Sequence, residues 1–203
     1  MSSFENLQIG TYGWLHESWS GSYYPEDLPE EWRLDYFSNV FKTALVPMSE
    51  WTLWSSDELE EIAESVEDGF NLFLAIEKPV GIEAQQQLET LVTILGDAIQ
   101  GLVVFGGELT QGVDLMNLPV TLISETTCLA GWNWQFNALT MSGNPCGLLQ
   151  NLPSDGRKQA EILKSFVSSL PKGVQGAPLF VSGDLIDMKD VVNLKTVGEL
   201  LGF

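Results

Sequence analysis

The stretch IGTYGWLHESWSGSYYPEDL, residues 9–28, holds the densest run of specific residues in the chain. It overlaps a predicted strand at 7–11 that closes on Gly13, where a glycine lets the backbone turn sharply over the edge of a sheet. Five aromatic residues fall within thirteen positions here: Tyr12, Trp14, Trp19, Tyr23 and Tyr24. Because rings of this size bury large areas, packing in a core or a lid is favoured over a cofactor site.

Outward from this stretch, segments of strand character alternate with segments of helical period, which indicates an α/β fold with a parallel sheet. Seven strands are predicted, at 7–11, 43–48, 70–76, 101–105, 120–124, 135–141 and 178–182. Five helices are predicted. Pro29 opens the first, and Ser55 and Glu58 have the capping-box spacing that begins the second. The other three cover 84–95, 155–170 and 188–201. In the first helix, Trp32, Tyr36, Phe37 and Val40 are expected to share a face. The alternation weakens after residue 105.

The opening stretch also carries a family resemblance. It keeps, in register, most of the pattern G-T-S-G-W-x-Y-x-x-W-x-G-x-F-Y-P-x-x-L, through Gly10-Thr11-Tyr12-Gly13-Trp14, Trp19, Gly21, Tyr23-Tyr24-Pro25 and Leu28. This pattern resembles the signature of the YecE-like family, bacterial and archaeal proteins of unknown function with a TIM-barrel fold. The resemblance is good over 8–41, fair over 69–105 and 178–201, and poor over 106–177.

The resemblance implies an α/β fold of TIM-type (β/α) barrel architecture. A complete barrel usually takes about 250 residues, whereas this chain has 203. We therefore expect a barrel that is trimmed or incomplete in its middle units. No long Gly, Ser or Pro linker divides the chain, so one domain is expected over 1–203.

The chain departs from the family pattern at the ends of the strands, where the family has polar residues. Leu45, Pro47 and Trp51 stand where the family pattern has Glu, Asn and Tyr. The family's E-x-R and R-x-H-G strand ends have no counterpart, and Ser182-Gly183-Asp184 replaces an Asn-rich turn. The resemblance therefore implies that most of the family's polar site is lost.

In a barrel the functional site lies at the carboxyl ends of the strands. The ligand-binding candidates at these ends are Tyr12, Trp14, His16, Trp51 and Asp184, and the catalytic candidates are Glu50, Lys78, Glu108 and Glu125. His16 is the only histidine, so imidazole chemistry must use it, although an aromatic residue at this position in the family favours a packing role.

No motif points to a metal or a cofactor. A site of several histidines is excluded by the single histidine, and no D-x-D-x-D-G calcium loop is present. The Gly106-Gly107 pair belongs neither to G-x-G-x-x-G nor to G-x-x-x-x-G-K-[ST]. We therefore predict no metal and no cofactor.

Charge limits the partners. The chain has 28 acidic residues against 9 Lys and Arg, for a net charge of −19, and residues 79–156 contain no Lys or Arg. Binding to nucleic acid depends on Lys and Arg side chains that contact the phosphates, and the chain has few of them, so it is not expected. For the same reason, an anionic substrate is the least expected ligand. No apolar run is long enough for a membrane span, and without a secretion signal a cytoplasmic location is expected.

These observations predict a binding or interaction protein without catalysis, whose partner is a small molecule, another protein or a second copy of the chain. The alternative is a metal-independent, glycosidase-like hydrolase that uses Glu50, Glu108 or Glu125 with Lys78. Paired carboxylates about 5 to 10 Å apart would suit that reaction.

Overall fold

The computed structural model describes residues 7–66, 69–106, 114–183 and 185–203. The described residues form nine strands and six α-helices, in the order β1 (Leu7–Tyr12), α1 (Arg33–Ser38), β2 (Thr43–Val46), α2 (Met48–Trp51), α3 (Ser56–Ser65), β3 (Asn71–Ile76), α4 (Ile82–Leu95), β4 (Ile99–Phe105), β5 (Val120–Ser124), β6 (Trp132–Phe136), β7 (Leu139–Gly143), β8 (Gly147–Gln150), α5 (Gly156–Ser169), β9 (Ala177–Ser182) and α6 (Met188–Leu201). Helices and strands alternate as far as β4 and again from α5 onwards, which confirms the α/β class.

All nine strands belong to one sheet with the order β6-β7-β5-β4-β3-β2-β1-β9-β8. Every neighbouring pair is parallel except β5 with β7 and β6 with β7, which are antiparallel. β1 is an interior strand, because it pairs with β2 on one side and β9 on the other.

The sheet curves into a nearly closed, barrel-like form. Phe73 on β3 and Phe180 on β9 are separated by two strands in the sheet, yet their rings meet edge to face at 5.4 Å. Tyr12 on β1 meets Phe105 on β4 in the same way at 6.1 Å. Contacts between strands that are not neighbours require an enclosed interior, and we infer that these rings fill it.

The gap in the barrel lies between β6 and β8, which share no strand pairing among the described residues. Near this gap, the Leu148 amide of β8 donates to Met141 Sδ of β7, the neighbour of β6, at 3.2 Å. Helix α5 also packs here, since the indoles of Trp132 and Trp134 donate to Ser169 and Ser165.

The strands at the centre of the sheet are apolar because both of their faces are covered. All four residues of β2 are buried, and so are Leu72–Ile76 of β3. Around them, α3 begins with the predicted capping box: the Ser55 side chain accepts from the Glu58 amide, and the Glu58 carboxylate accepts from the Ser55 amide. This local prediction is confirmed.

The sequence prediction of one strand over 135–141 is wrong. β6 and β7 form an antiparallel hairpin that turns at Asn137, whose φ is +54°. Asparagine tolerates this left-handed conformation, so a two-residue turn interrupts what reads as a continuous strand. β8 was not predicted, because four residues after Cys146 are too few for a clear pattern.

Two other predictions need correction. The first helix does not begin at Pro29, since residues 30–32 form a 3-10 turn and the α-helix starts at Arg33. Of its predicted face, Phe37 is buried, together with Leu34, whereas Trp32 is 62% and Tyr36 36% exposed. The predicted strand at 43–48 ends at Val46, because Pro47 opens the short helix α2. By contrast, the described residues between β4 and α5 contain strands and turns without a helix, as the weakened alternation predicted.

No helix in the described ranges is both long and apolar enough to cross a lipid bilayer.

We predict that replacing Gly10 with Ala (G10A) lowers the free energy of unfolding by about 2–3 kcal/mol, measured by chemical denaturation. A Cβ at Gly10 would lie 2.1 Å from the backbone carbonyl oxygen of Thr43, so β1 and β2 would have to separate. The matched control is Gly81→Ala, where a Cβ meets nothing within 4 Å. Equal stability of the two variants would contradict this account of the β1–β2 approach.

Candidate functional site

A cavity of about 560 Å³ opens where the parallel strands end, and we call it the mouth cavity. Its lining comes from the carboxyl ends of β1, β3, β4, β8 and β9 and from the residues just after them: Tyr12, His16, Glu77, Phe105, Leu148, Gln150, Asn151, Ser182 and Gly183. The site therefore lies at the edge of the sheet that the sequence analysis selected. Tyr12 and His16 are the two ligand-binding candidates that line it.

Tyr12 brings a buried hydroxyl to the cavity. This hydroxyl makes no hydrogen bond of regular geometry. Burial raises the pKa of Tyr12 well above its usual range, and the nearby Glu77 carboxylate raises this pKa further. The phenol is therefore neutral, and its hydroxyl beside Glu77 can act both as a donor and as an acceptor.

His16 is held by the strand end that precedes it. Its Nε2 lies 2.8 Å from the Tyr12 carbonyl oxygen, and its ring lies against Trp19 with the centroids 4.3 Å apart. Because a carbonyl oxygen only accepts, Nε2 donates, which leaves Nδ1 free of this bond. The packing role expected for His16 and a place in the cavity lining are therefore both compatible with its position.

Glu50 and Glu77 lie beside these two residues. Glu77 follows β3, and its Oε2 accepts from the Met48 amide at 3.2 Å. Glu50 lies on α2, and its Oε2 is buried without a hydrogen-bond partner. Gly13 lies between the two side chains, since a Cβ there would be in ordinary contact with Glu50 Oε1 at 3.5 Å and His16 Nε2 at 3.6 Å. Its φ of +73° is the conformation that favours glycine at this turn.

The pKa of Glu50 is raised to about 7, chiefly by burial and then by the charges of Glu30 and Glu77. The group therefore changes its charge near neutral pH. It does not line the mouth cavity, so it sits behind the lining.

The far side of the cavity is formed by two residues that were not among the predicted site residues. Gln150 and Asn151 end β8, and their exposed side-chain amides make no hydrogen bond with other described residues. Asn151 has φ +59°, and its amide N–H donates to the Ser182 carbonyl oxygen at 3.3 Å, which ties the end of β8 to the end of β9. The polar pair that follows Gly147-Leu148-Leu149 is the signal that could have found this side.

The remaining predicted residues do not line the mouth cavity. Trp51 is fully buried, and its indole donates to the Ala75 carbonyl oxygen at 2.9 Å, so it faces the core. Trp14 is also buried and lines a different cavity. Lys78 and Glu125 are exposed outside the lining, whereas Glu108 and Asp184 lie outside the described residues.

The described residues contain no group of three or more His, Cys, Asp or Glu side chains placed to hold a metal ion. Glu77 is the one formally charged residue in the mouth lining, and the lining includes no Lys or Arg. The cavity thus offers hydrogen-bonding groups and a single negative charge.

The sequence model of the family described as "Protein of unknown function DUF72" matches residues 8–177. The chain belongs to the DUF72 family. DUF72 is another name for the YecE-like family, so the resemblance seen in the opening stretch is confirmed. The matched range includes 106–177, where the motifs of DUF72 proteins were hard to trace in this chain.

The fold is shared with a DUF72 family protein from Thermotoga maritima, whose crystal structure matches with a TM-score of 0.60. The two are 14% identical, and the match covers 95% of this chain and 99% of the other. At this identity the similarity concerns the fold alone. No curated protein matches the sequence.

We predict that replacing Glu50 with Gln (E50Q) removes part of the pH dependence of stability. The folded-state pKa of about 7 lies above the ordinary value of 4.5, so the bound proton stabilises the folded protein at low pH. This contribution is complete below about pH 4.5 and is lost as the pH rises through 7. Between pH 5 and 8 the free energy of unfolding of the wild type should therefore fall by about 2 kcal/mol relative to that of E50Q, measured by urea denaturation.

The control for this measurement is E64Q, which removes an exposed carboxylate on α3 and should follow the wild type. Parallel pH profiles for E50Q and the wild type would show that Glu50 titrates normally.

Proposed function

We propose that this DUF72 protein is a TIM-type barrel, trimmed in its middle units, that binds a small uncharged polar molecule in its mouth cavity without catalysis. The observation that carries the proposal is a set of polar groups around one cavity that the protein leaves without regular hydrogen bonds. The side chains of Gln150 and Asn151 make no hydrogen bond with other described residues, the Tyr12 hydroxyl beside Glu77 makes none of regular geometry, and all three line the mouth.

The size of the cavity supports a small ligand. Its volume of about 560 Å³ falls within the roughly 300–1,000 Å³ of small-molecule sites. Phe105 and Leu148 supply apolar surface beside the polar groups. A compound with several hydroxyl groups on a carbon skeleton, such as a monosaccharide, matches this mixture of apolar surface with donors and acceptors.

The charge of the lining opposes anions. Glu77 would repel a phosphate or carboxylate, and no Lys or Arg of the lining could offset it. The acidic composition of the whole chain acts in the same direction. The ligand is therefore expected to be neutral.

Binding is favoured over hydrolysis because of where the carboxylates lie. A glycosidase needs two carboxyl groups on opposite sides of the scissile bond. None of the described catalytic candidates lines the mouth, because Glu50 lies behind the lining and Glu125 and Lys78 lie outside it, and the carboxylate that does line it is that of Glu77. The polar groups can thus hold a ligand, but the described lining does not present an acid and a base to it.

A second candidate function, a glycosidase-like hydrolase, is favoured by one observation. Glu50, with a pKa of about 7, interacts electrostatically with Glu77, and a carboxyl group protonated near neutral pH is suited to act as a general acid. Turnover of aryl glycosides that E50Q abolishes would establish this function. We expect no turnover above the buffer rate.

Location and partners follow from the sequence argument. We propose a cytoplasmic protein of one domain that acts without nucleic acid, metal or cofactor. A protein partner or a second copy of the chain would bind outside the mouth.

We predict that glucose, galactose or xylose binds in the mouth, with chemical-shift changes at Tyr12, His16 and Ser182 in NMR titrations. Glucose 6-phosphate should not bind, because it brings negative charge to Glu77. Gln150→Leu should weaken binding about 5-fold by removing one hydrogen-bonding group. The same change at the exposed Gln86 on α4 is the matched control. Absence of binding by all three sugars, or equal binding of the phosphate, would contradict the proposal.

A further inference from the structure

A second cavity, of about 280 Å³, shares no lining residue with the mouth, and we call it the outer cavity. It lies between the segment that follows β1, the start of α1 and helix α3. Its lining is Trp14, Leu15, Glu30, Glu31, Leu34, Trp54, Glu58, Glu61, Ile62 and Ser65. Apolar side chains and carboxylates thus lie around one cavity, and this combination is suited to binding an organic cation.

Two indole rings form the aromatic part of the outer cavity. Trp14 and Trp54 lie with their ring centroids 6.1 Å apart and their planes at 35°. Leu34 and Ile62 are buried beside them. An aromatic face attracts a cation through its quadrupole, and the attraction is greatest for Trp.

Trp14 has an unused donor. Its side chain is only 3% exposed, yet its indole N–H donates no hydrogen bond to a described residue. The other four Trp side chains that are buried in the described structure all donate, to Ile186, Ala75, Ser169 and Ser165. The Trp14 Nε1 atom is not one of the solvent-inaccessible polar atoms that lack a hydrogen-bond partner, so this unpaired N–H remains accessible. An unpaired, accessible N–H on a buried ring that lines a cavity points to an acceptor atom of a ligand.

The carboxylates of the outer cavity are not neutralised. None of its four Glu residues forms an ion pair with a described residue, and no Lys or Arg lines the cavity. Glu58 is already engaged, because its Oε2 accepts from Ser55 in the capping box. Arg33 lies close in sequence, but its guanidinium lies over the Tyr24 ring at 5.5 Å. Glu30, Glu31 and Glu61 therefore remain available to a cation.

We propose that the outer cavity binds a small guanidinium compound that also carries a carbonyl oxygen. The planar guanidinium would lie against the Trp14 and Trp54 rings and pair with Glu30, Glu31 and Glu61, as guanidinium groups do with aromatic faces and carboxylates. The carbonyl oxygen would accept from the Trp14 indole N–H. The volume of about 280 Å³ is at the lower limit of small-molecule sites, about 300 Å³, which fits a ligand of amino-acid size.

The test uses argininamide and citrullinamide, which have nearly the same shape but carry a guanidinium and a neutral urea group. Binding is followed through the indole N–H resonance of Trp14, assigned with the Trp14→Phe variant. Argininamide should shift this resonance with a millimolar dissociation constant, and citrullinamide should bind about 10-fold more weakly. No shift, or equal binding of the two amides, would overturn the proposal.

Two variants distinguish binding at the outer cavity from an effect of the net charge of the protein. Glu61→Gln should weaken argininamide binding about 5-fold, as expected for the loss of one ion pair in a partly exposed site. Glu64→Gln removes the same charge from the same helix outside the cavity and should leave binding unchanged. Both residues are exposed, so both variants should fold. If the two variants weaken binding equally, the effect is explained by the net charge of the protein, and the proposed site is contradicted.

A third ligand, a short peptide, distinguishes a free guanidinium compound from the arginine side chain of a partner protein. If Gly-Arg-Gly amide binds much more tightly than argininamide, the cavity accepts the arginine of a partner protein, which would overturn the small-molecule proposal. Because the outer cavity and the mouth share no residues, failure of sugar binding leaves this test unaffected, and the reverse also holds.

Discussion

The parallel pairing of β1 with β2 and β9 is the constraint on which the rest of the structure depends. β1 is paired on both sides, and Gly10 allows the Thr43 carbonyl oxygen to approach where any side chain would clash. Seven parallel strands in one sheet end at the same edge. That geometry brings together Tyr12, Glu77 and Gln150, which are far apart in the sequence, around the mouth cavity.

Much of this arrangement could be predicted where local signals are strong. The Ser55–Glu58 capping box is a short-range pattern, and the apolar run of β3 is typical of a strand covered on both faces. The motif around Gly10 and Trp14 was enough to identify the family. In each case the information lies within a few consecutive residues.

The parts that could not be predicted depend on longer-range packing. Reading strand ends from the sequence placed Trp51 in the site, but Pro47 opens a helical turn that directs the indole into the core, towards Ala75. β8 is four residues long, so its place beside β9 and the exposure of Gln150 come from pairing that no local pattern reveals. The hairpin at Asn137 was hidden because a two-residue turn barely interrupts the apolar sequence.

The two cavities give the acidic composition a more specific meaning. Glu50 connects them electrostatically, because its pKa, raised chiefly by burial, is raised further by Glu30, which lines the outer cavity, and by Glu77, which lines the mouth. The scarcity of Lys and Arg leaves the carboxylates of the outer cavity unpaired, whereas the mouth presents mostly neutral polar groups. We therefore propose different ligands for the two sites: an organic cation for the outer cavity and an uncharged polar molecule for the mouth.

The central claim, that the mouth cavity holds a neutral polar ligand, is tested most directly by a crystal structure of the protein soaked in a monosaccharide. Our account predicts electron density for the sugar in the mouth, with hydroxyl groups within hydrogen-bond distance of Gln150, Asn151 and the Tyr12 hydroxyl. An empty mouth at high sugar concentration, or a sugar bound only elsewhere on the surface, would contradict it.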